Sequence, residues 1–413
     1  MNVRIKVRNF GPITSGRTDN DGWMDIAKVT LFCGPQGSGK SCITKLTSLL
    51  MWLEKSVYRN PELVVDNAAF VQALEWQGIA NYITTETEIA YQGDLLRFLY
   101  VNGGIHSELT FDQNAPYIVP KISYMPAERN FASIVRSADR VEGLPRPLID
   151  MQVEFNRAKR FFAAGFRLPA NGFKFRFDKD PWIVNGNASD ANMTRLEEAS
   201  SGLQSMVPML LVSEYLEGHL ATELDARRSV GIFYDPGTAE KKEQIEAYVR
   251  KLGANDSLTV AQKSMRLERY FAPGRRFVNL VEEPEQNLYP ETQRAVVNAL
   301  VAIANRKPDN ILIMSTHSPY VLNQLVTAAL AASIGPSPKV EEVFPLASAV
   351  PQSDMKLYEL DGEGRVVPLE TPNGLFDDQN LLNAALRNWN ELFDRLLDIK
   401  IREIRRKARN HSA

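Results

Sequence analysis

Gly34-Pro35-Gln36-Gly37-Ser38-Gly39-Lys40-Ser41 fits the pattern GxxxxGK followed by Ser or Thr at every position. The physics of such a loop is direct. Glycine lets the backbone take positive φ and bring N–H groups close to an anion. A helix that follows points its positive end at the same anion. Lys40 would supply a point charge between β- and γ-phosphate, and Ser41 would place its hydroxyl on Mg²⁺. The pattern predicts a site for ATP and Mg²⁺. Gly34 through Ser41 would cradle the phosphates.

A second strand must then deliver a carboxylate to the metal, often through water. Phe277-Val278-Asn279-Leu280-Val281 is a short apolar run that leads into Glu282-Glu283-Pro284-Glu285. Glu282 is placed for the metal. Glu283 projects differently and would polarise an attacking water. Alone, such a run is a charged turn, but behind a buried strand and a phosphate loop it reads as machinery. Ile311-Leu312-Ile313-Met314-Ser315 is a second buried run and ends in Thr316-His317-Ser318-Pro319. At the end of a buried strand His317 could reach a γ-phosphate. His106, His219 and His411 have no such setting.

Ser200-Ser201-Gly202-Leu203-Gln204-Ser205 opens an apolar helix, Met206 to Leu220. A Ser/Gly turn at a helix start is a second anion site, although by itself it is most often an N-cap. Pro208 predicts that the helix begins near Gln204 or kinks there.

These residues need a frame. Ala27 to Cys33 reads as a buried strand entering the phosphate loop, and Ile43, Leu46, Leu49, Leu50 and Leu53 follow at helical spacing. Val3, Ile5 and Val7 alternate with charges as in a half-buried strand. Glu86 to Phe111 predicts an antiparallel meander, and Lys121 to Met125 another strand. Residues 131–199 read as an insertion or helical lid, and 225–274 as a charged insertion. Lys356–Leu360 and Arg365–Leu369 flank Asp361-Gly362-Glu363-Gly364, a hairpin signal. The last helix, from about Asp378, carries Leu382, Ala385, Leu386, Trp389, Leu392, Phe393, Leu396 and Leu397 on a wide stripe. Core packing is the first expectation for it and a subunit interface the second. Lys400, Arg402, Arg405, Arg406, Lys407 and Arg409 form a basic end, read first as solvated.

The order of motifs resembles the ABC-type ATPases of the SMC, Rad50 and OLD group. Asn9-Phe10-Gly11-Pro12-Ile13 resembles their strand exit. Lys40 and Ser41 match Walker A, and Ser201, Gly202 and Gln204 lie in the signature. Glu282 and Glu283 match Walker B and the catalytic glutamate, and His317 the switch histidine. Glu282 departs from the usual Asp, and its longer side chain would shift the metal contact or route it through water. Tyr124-Met125-Pro126-Ala127-Glu128-Arg129 resembles an OLD-type segment near the Q-loop, with no glutamine in it. The resemblance implies an α/β fold: an ABC-type P-loop core, a mixed sheet with an antiparallel β subdomain, helical insertions and a C-terminal helix. It implies divisions at 1–130 (Walker A lobe), 131–199, 200–335 (signature, Walker B and switch) and 336–413. It also implies head-to-tail dimers in which one subunit's signature completes another's ATP site.

Between Ser41 and Ser201 no long heptads appear, as a Rad50 or SMC coiled coil would need. After His317 no DxD suits a TOPRIM nuclease. The chain thus resembles OLD-type ATPases whose nuclease is separate, most of all the AriA family of PARIS anti-phage systems. That likeness implies a homo-oligomer such as a hexamer and a TOPRIM partner of the AriB type released on sensing a phage protein, and the low cysteine count fits a reducing cytoplasm. Septu ATPases of the PtuA type, with an HNH partner, are the rival. A DNA-repair or DNA-tethering ATPase is the alternative from another class, and direct nucleic-acid binding stays open.

Composition bounds these readings. The chain has 413 residues, 44% hydrophobic and 24% charged, which excludes wholesale disorder and a membrane bundle. A net charge of −2 argues against a nucleic-acid coat. Two cysteines without a CxxC argue against disulfide scaffolding or structural zinc. Cys33 and Cys42 flank the phosphate loop as core fillers rather than redox switches.

Overall fold

The computed structural model describes residues 3–63, 65–109, 117–135, 141–169, 172–184, 193–230, 239–272, 274–369, 376 and 380–411. The chain opens with strands β1 (Val3–Arg8), β2 (Gly16–Arg17), β3 (Met24–Ile26) and β4 (Val29–Cys33). Helices α1 (Lys40–Arg59) and α2 (Asn67–Trp76) follow. The meander comprises β5 (Glu88–Gln92), β6 (Leu96–Val101) and β7 (Gly104–Leu109), and β8 (Pro120–Met125) comes next. Helices α3 (Phe131–Ile134) and α4 (Arg146–Phe161) lead to β9 (Phe166–Arg167), β10 (Lys174–Phe177), β11 (Pro181–Val184) and β12 (Met193–Arg195). Then come α5 (Ser201–Val230), α6 (Ala239–Gly253) and α7 (Val260–Tyr270). Strands and helices alternate through β13 (Arg276–Glu282), α8 (Pro290–Asn305), β14 (Ile311–Thr316), α9 (Pro319–Ile334) and α10 (Pro338–Val343). The hairpin β15 (Met355–Leu360) and β16 (Arg365–Pro368) and the helix α11 (Leu381–His411) close the chain.

Among the described residues the strands form three sheets. The central one runs β2-β16-β15-β4-β14-β13-β8, and its strands from β15 to β8 are mutually parallel. An antiparallel sheet runs β3-β1-β5-β6-β7. The chain is therefore α/β, with a mixed sheet and an antiparallel subdomain, as the pattern of runs predicts. The hairpin near the end of the chain is part of the central sheet, with β15 beside β4.

Alternation along β13 sorts the two faces of that sheet. Val278 and Leu280 join a core with Ile43, Leu46 and Leu50 of α1. Phe277 and Val281 join Met206, Val207 and Leu210 of α5, together with α8 and α9. Helices α1 and α5 therefore cover opposite faces. Buried Glu54 fastens α1 to the antiparallel sheet, accepting from the Tyr91 hydroxyl at 2.7 Å and from the amides of Leu95 and Leu96.

Three expectations are corrected. Residues 131–199 are no purely helical lid, because β9 to β12 form a four-stranded antiparallel sheet. Alternating Lys174-Phe175-Arg176-Phe177 carried that signal, diluted by the surrounding Gly, Pro and Asn. Helix α5 begins at Ser201, earlier than Gln204, and continues through Pro208. Proline removes the bond that Gln204 would receive, and the Ser133 hydroxyl donates to that carbonyl at 2.6 Å instead. The stripe on α11 is not core: Trp389, Leu392, Phe393 and Leu396 are exposed, Trp389 by 74%. The side chains of Arg405, Arg406, Lys407 and Arg409 lie outside the described residues.

Candidate active site

Strand β14 lies between β4 and β13, with Thr316 opposite Cys33 and Ser315 opposite Glu282. All three strands are parallel, so their C-terminal ends meet at one edge. Ligands of open α/β sheets bind at such an edge. The phosphate loop leaves β4, Glu282 and Glu283 leave β13, and His317 leaves β14. The topology brings together three sequence signals that lie far apart in the chain.

Gly39 caps α1 with φ +100°, a left-handed conformation that favours glycine. A Cβ there would lie 2.8 Å from Ile13, so the strand exit at Pro12-Ile13 packs directly on the loop. Gly34 has φ +143°, and a Cβ on it would lie 2.1 Å from the Leu360 carbonyl oxygen. Pro35, Gln36, Gly37 and Ser41 are exposed, while Ser38 and Lys40 are buried. The Lys40 ammonium folds back to donate to the Gly34 carbonyl at 2.9 Å and the Pro35 carbonyl at 2.7 Å. Burial lowers its pKa, and the field of Glu283 opposes that most strongly. The free N–H groups of the first turn of α1 remain an anion site.

Glu282 is buried on the α1 face. It accepts from the Tyr124 hydroxyl at 2.5 Å and the Ala127 amide at 3.2 Å. Glu283 turns the chain with φ +43°, rare for a residue with a side chain. Its amide donates to the Ser315 carbonyl at 2.8 Å. His317 Nδ1 stands 3.5 Å from Glu283 Oε1 and 3.6 Å from Glu285 Oε1. The adjacent imidazole holds the Glu283 carboxyl below its usual range, and Glu283 in turn raises the His317 pKa, against burial. Glu283 is thus a carboxylate at neutral pH, able to orient and polarise a water.

Three residues carry more than their sequence signal indicated. Glu285 is buried and accepts from the Thr316 hydroxyl at 2.6 Å and the His317 amide at 3.0 Å. It fixes the backbone at the histidine. Tyr124 binds Glu282 as above. Arg129 is fully buried and donates to the Glu282 and Glu283 carbonyls, each at 2.6 Å. All three lie in segments whose motif character is visible, but contact partners so remote in sequence are not.

Ser201, Gly202 and Gln204 stand at the start of α5, on the sheet face opposite α1, and none of their described contacts is with the phosphate loop. Ser201 is exposed at the start of its helix. Gly202 is buried, and a Cβ there would lie 2.7 Å from the Asn287 carbonyl oxygen. The Gln204 side-chain amide donates to the Glu197 carbonyl at 2.9 Å.

Two buried polar atoms at this edge, Ser38 Oγ and Glu285 Oε2, lack a hydrogen-bond partner. Together with the exposed Ser41 hydroxyl they suit a phosphate and its hydrated cation. No described cluster of three His, Cys, Asp or Glu side chains forms a dedicated metal cage. Magnesium held by one or two protein ligands, substrate phosphates and water needs none. At the exit of β1, Arg8, Asn9, Thr14, Ser15 and Thr18 line an open groove. Burial raises both cysteine thiols, that of Cys42 to about 11, in keeping with core fillers. No described helix is long and apolar enough to cross a membrane.

No family model and no curated protein matches the chain. Among solved structures it is similar to an SMC head bound to the C-winged helix domain of ScpA. That likeness has a TM-score of 0.43 and 10% identity over 90% of this chain and 99% of that one. It is also similar to the SMC head domain from Thermotoga maritima, with a TM-score of 0.37 and 11% identity over 90% of this chain and 100% of that one.

Proposed function

We propose that the chain is an ATPase that binds ATP with Mg²⁺ and hydrolyses it at a site completed by a second copy. The observation that carries this is the meeting of Lys40, Glu282, Glu283 and His317 at the ends of three adjacent parallel strands. The loop amides and Lys40 would hold the β- and γ-phosphates. Ser41 and, through water, Glu282 would hold Mg²⁺, which supplies charge neutralisation when bound. Glu283 would take a proton from the attacking water. His317, its Nδ1 side turned to Glu283, would leave Nε2 for a phosphate oxygen.

Exposed Ser201 and buried Gly202 start α5, the helix on the sheet face opposite α1. A head-to-tail copy would use them as the second anion site. The exposed stripe on α11 supports assembly, because contiguous apolar surface marks interaction sites. At the level of biology the reading is a sensor and scaffold in anti-phage defence. It would hold a separate nuclease and release it when a phage protein arrives. Motif order and the lack of long heptads between Ser41 and Ser201 support that choice over a DNA-tethering ATPase. Steady-state ATP hydrolysis, measured with and without duplex DNA, tests the reading. Turnover indifferent to DNA is expected. No turnover would remove the ATPase, and strong stimulation by DNA would favour tethering. Native mass spectrometry with the neighbouring gene product tests the nuclease partner.

A further inference from the structure

Arg129 donates from Nη1 to the Glu282 carbonyl at 2.6 Å and the Pro126 carbonyl at 3.2 Å. Its Nη2 donates to the Glu283 carbonyl at 2.6 Å, and its Nε to the Ser205 carbonyl at 3.1 Å. One rigid guanidinium fork thus joins the exit of β13 to the first turns of α5. Two further contacts join the same pair of segments. The Ser205 hydroxyl pairs with the Gln286 side chain at 2.9 Å, and Gly202 packs on the Asn287 carbonyl.

A fully buried cation facing carbonyls is costly unless its geometry is needed. Burial pushes the Arg129 pKa down to about 10, although the nearby glutamates resist this. Glu283, held at positive φ, requires its surroundings to fix it. The guanidinium grips the carbonyls on both sides of its backbone nitrogen and α-carbon.

We propose that Arg129 is a positioning residue: it sets the backbone of Glu283 and locks it to the start of α5, so that the two segments move as one unit. The proposal rests on the ATPase reading for its catalytic consequence, but not for the lock itself.

The test uses the full chain with two substitutions. Arg129→Lys keeps the charge and loses the fork, and Arg129→Met loses both. Both should lower kcat for ATP roughly 10- to 100-fold, the scale of a misplaced catalytic group. The Kd for ATP should stay within about threefold, because Arg129 makes no contact with the phosphate loop. Backbone hydrogen exchange should rise together in 201–208 and 282–288, with α1 unchanged. Unchanged kcat, or exchange rising in only one of the two segments, would overturn the proposal. A wild-type chain without ATP turnover would sink the ATPase reading alone, and the paired exchange would still decide the lock. Should neither Arg129 variant fold, Arg129→Gln carries the test: it keeps amide donors but loses the fork, with the same paired rise expected and a rise in one segment contradicting it.

Discussion

His317 Nδ1 lies 3.5 Å from Glu283 Oε1, across the ends of two neighbouring parallel strands. Each group moves the other's titration. The lowered Glu283 pKa contributes stability above the ordinary 4.5 and loses it as pH falls through the lowered value. The raised His317 pKa contributes stability below the ordinary 6.5 and loses it as pH rises through the raised value. The pair is therefore at full strength between those two ordinary values. The gap in melting temperature between the wild type and His317→Gln should be widest there and shrink as the solution is made alkaline. Both groups are about one-third exposed, so the gap will be small. A gap that stays the same as the pH is raised from this window into the alkaline range would contradict the pairing.

Glu283→Gln keeps the shape of the site but removes the base. ATP and Mg²⁺ binding should persist while hydrolysis falls by roughly 10²-fold or more. Unchanged turnover would assign the base to another group. Glu282→Gln should instead raise the Mg²⁺ concentration needed for half-maximal turnover. An unaltered titration would remove Glu282 from the metal.

Lys40→Ala removes the buried ammonium that lies on the Gly34 and Pro35 carbonyls. An intact fold is expected by circular dichroism, with ATP binding or turnover severely reduced. Turnover at the wild-type rate would refute the phosphate-loop assignment.

Much of this was legible in the sequence because it depends on short-range pattern. The eight residues from Gly34 to Ser41 define their loop alone, and apolar runs of strand length mark β4, β13 and β14. Which strands are neighbours was not legible, and that adjacency joins Glu283 to His317. Arg129 was visible as a letter in a motif, but its carbonyl partners at Ser205 and Glu283 are set only by tertiary packing. Pro208 misled in the other direction, because the compensating Ser133 hydroxyl comes from a separate helix. The four-stranded sheet from β9 to β12 was hidden because its strands are two to four residues long.

The stripe on α11 predicts an assembly contact. The helix has 31 residues, a span of about 46 Å at 1.5 Å per residue. Trp389→Glu with Phe393→Glu would place charge on that face. Sedimentation should show a smaller species than wild type, with the core fold unchanged. Identical sedimentation of the two would remove α11 from the assembly.

Mixing Lys40→Ala with Ser201→Arg interrogates the shared site itself. Each variant alone should hydrolyse little ATP, the first for want of a phosphate cation, the second because a long cation fills the signature's anion position. Ser201→Arg should still bind nucleotide, since its own phosphate loop is untouched. A mixed head-to-tail pair contains one intact and one doubly damaged site, so ATP turnover should partly recover on mixing. Wild-type turnover by Ser201→Arg alone, or no recovery from variants shown by native mass spectrometry to have exchanged subunits, would contradict a site built from two copies.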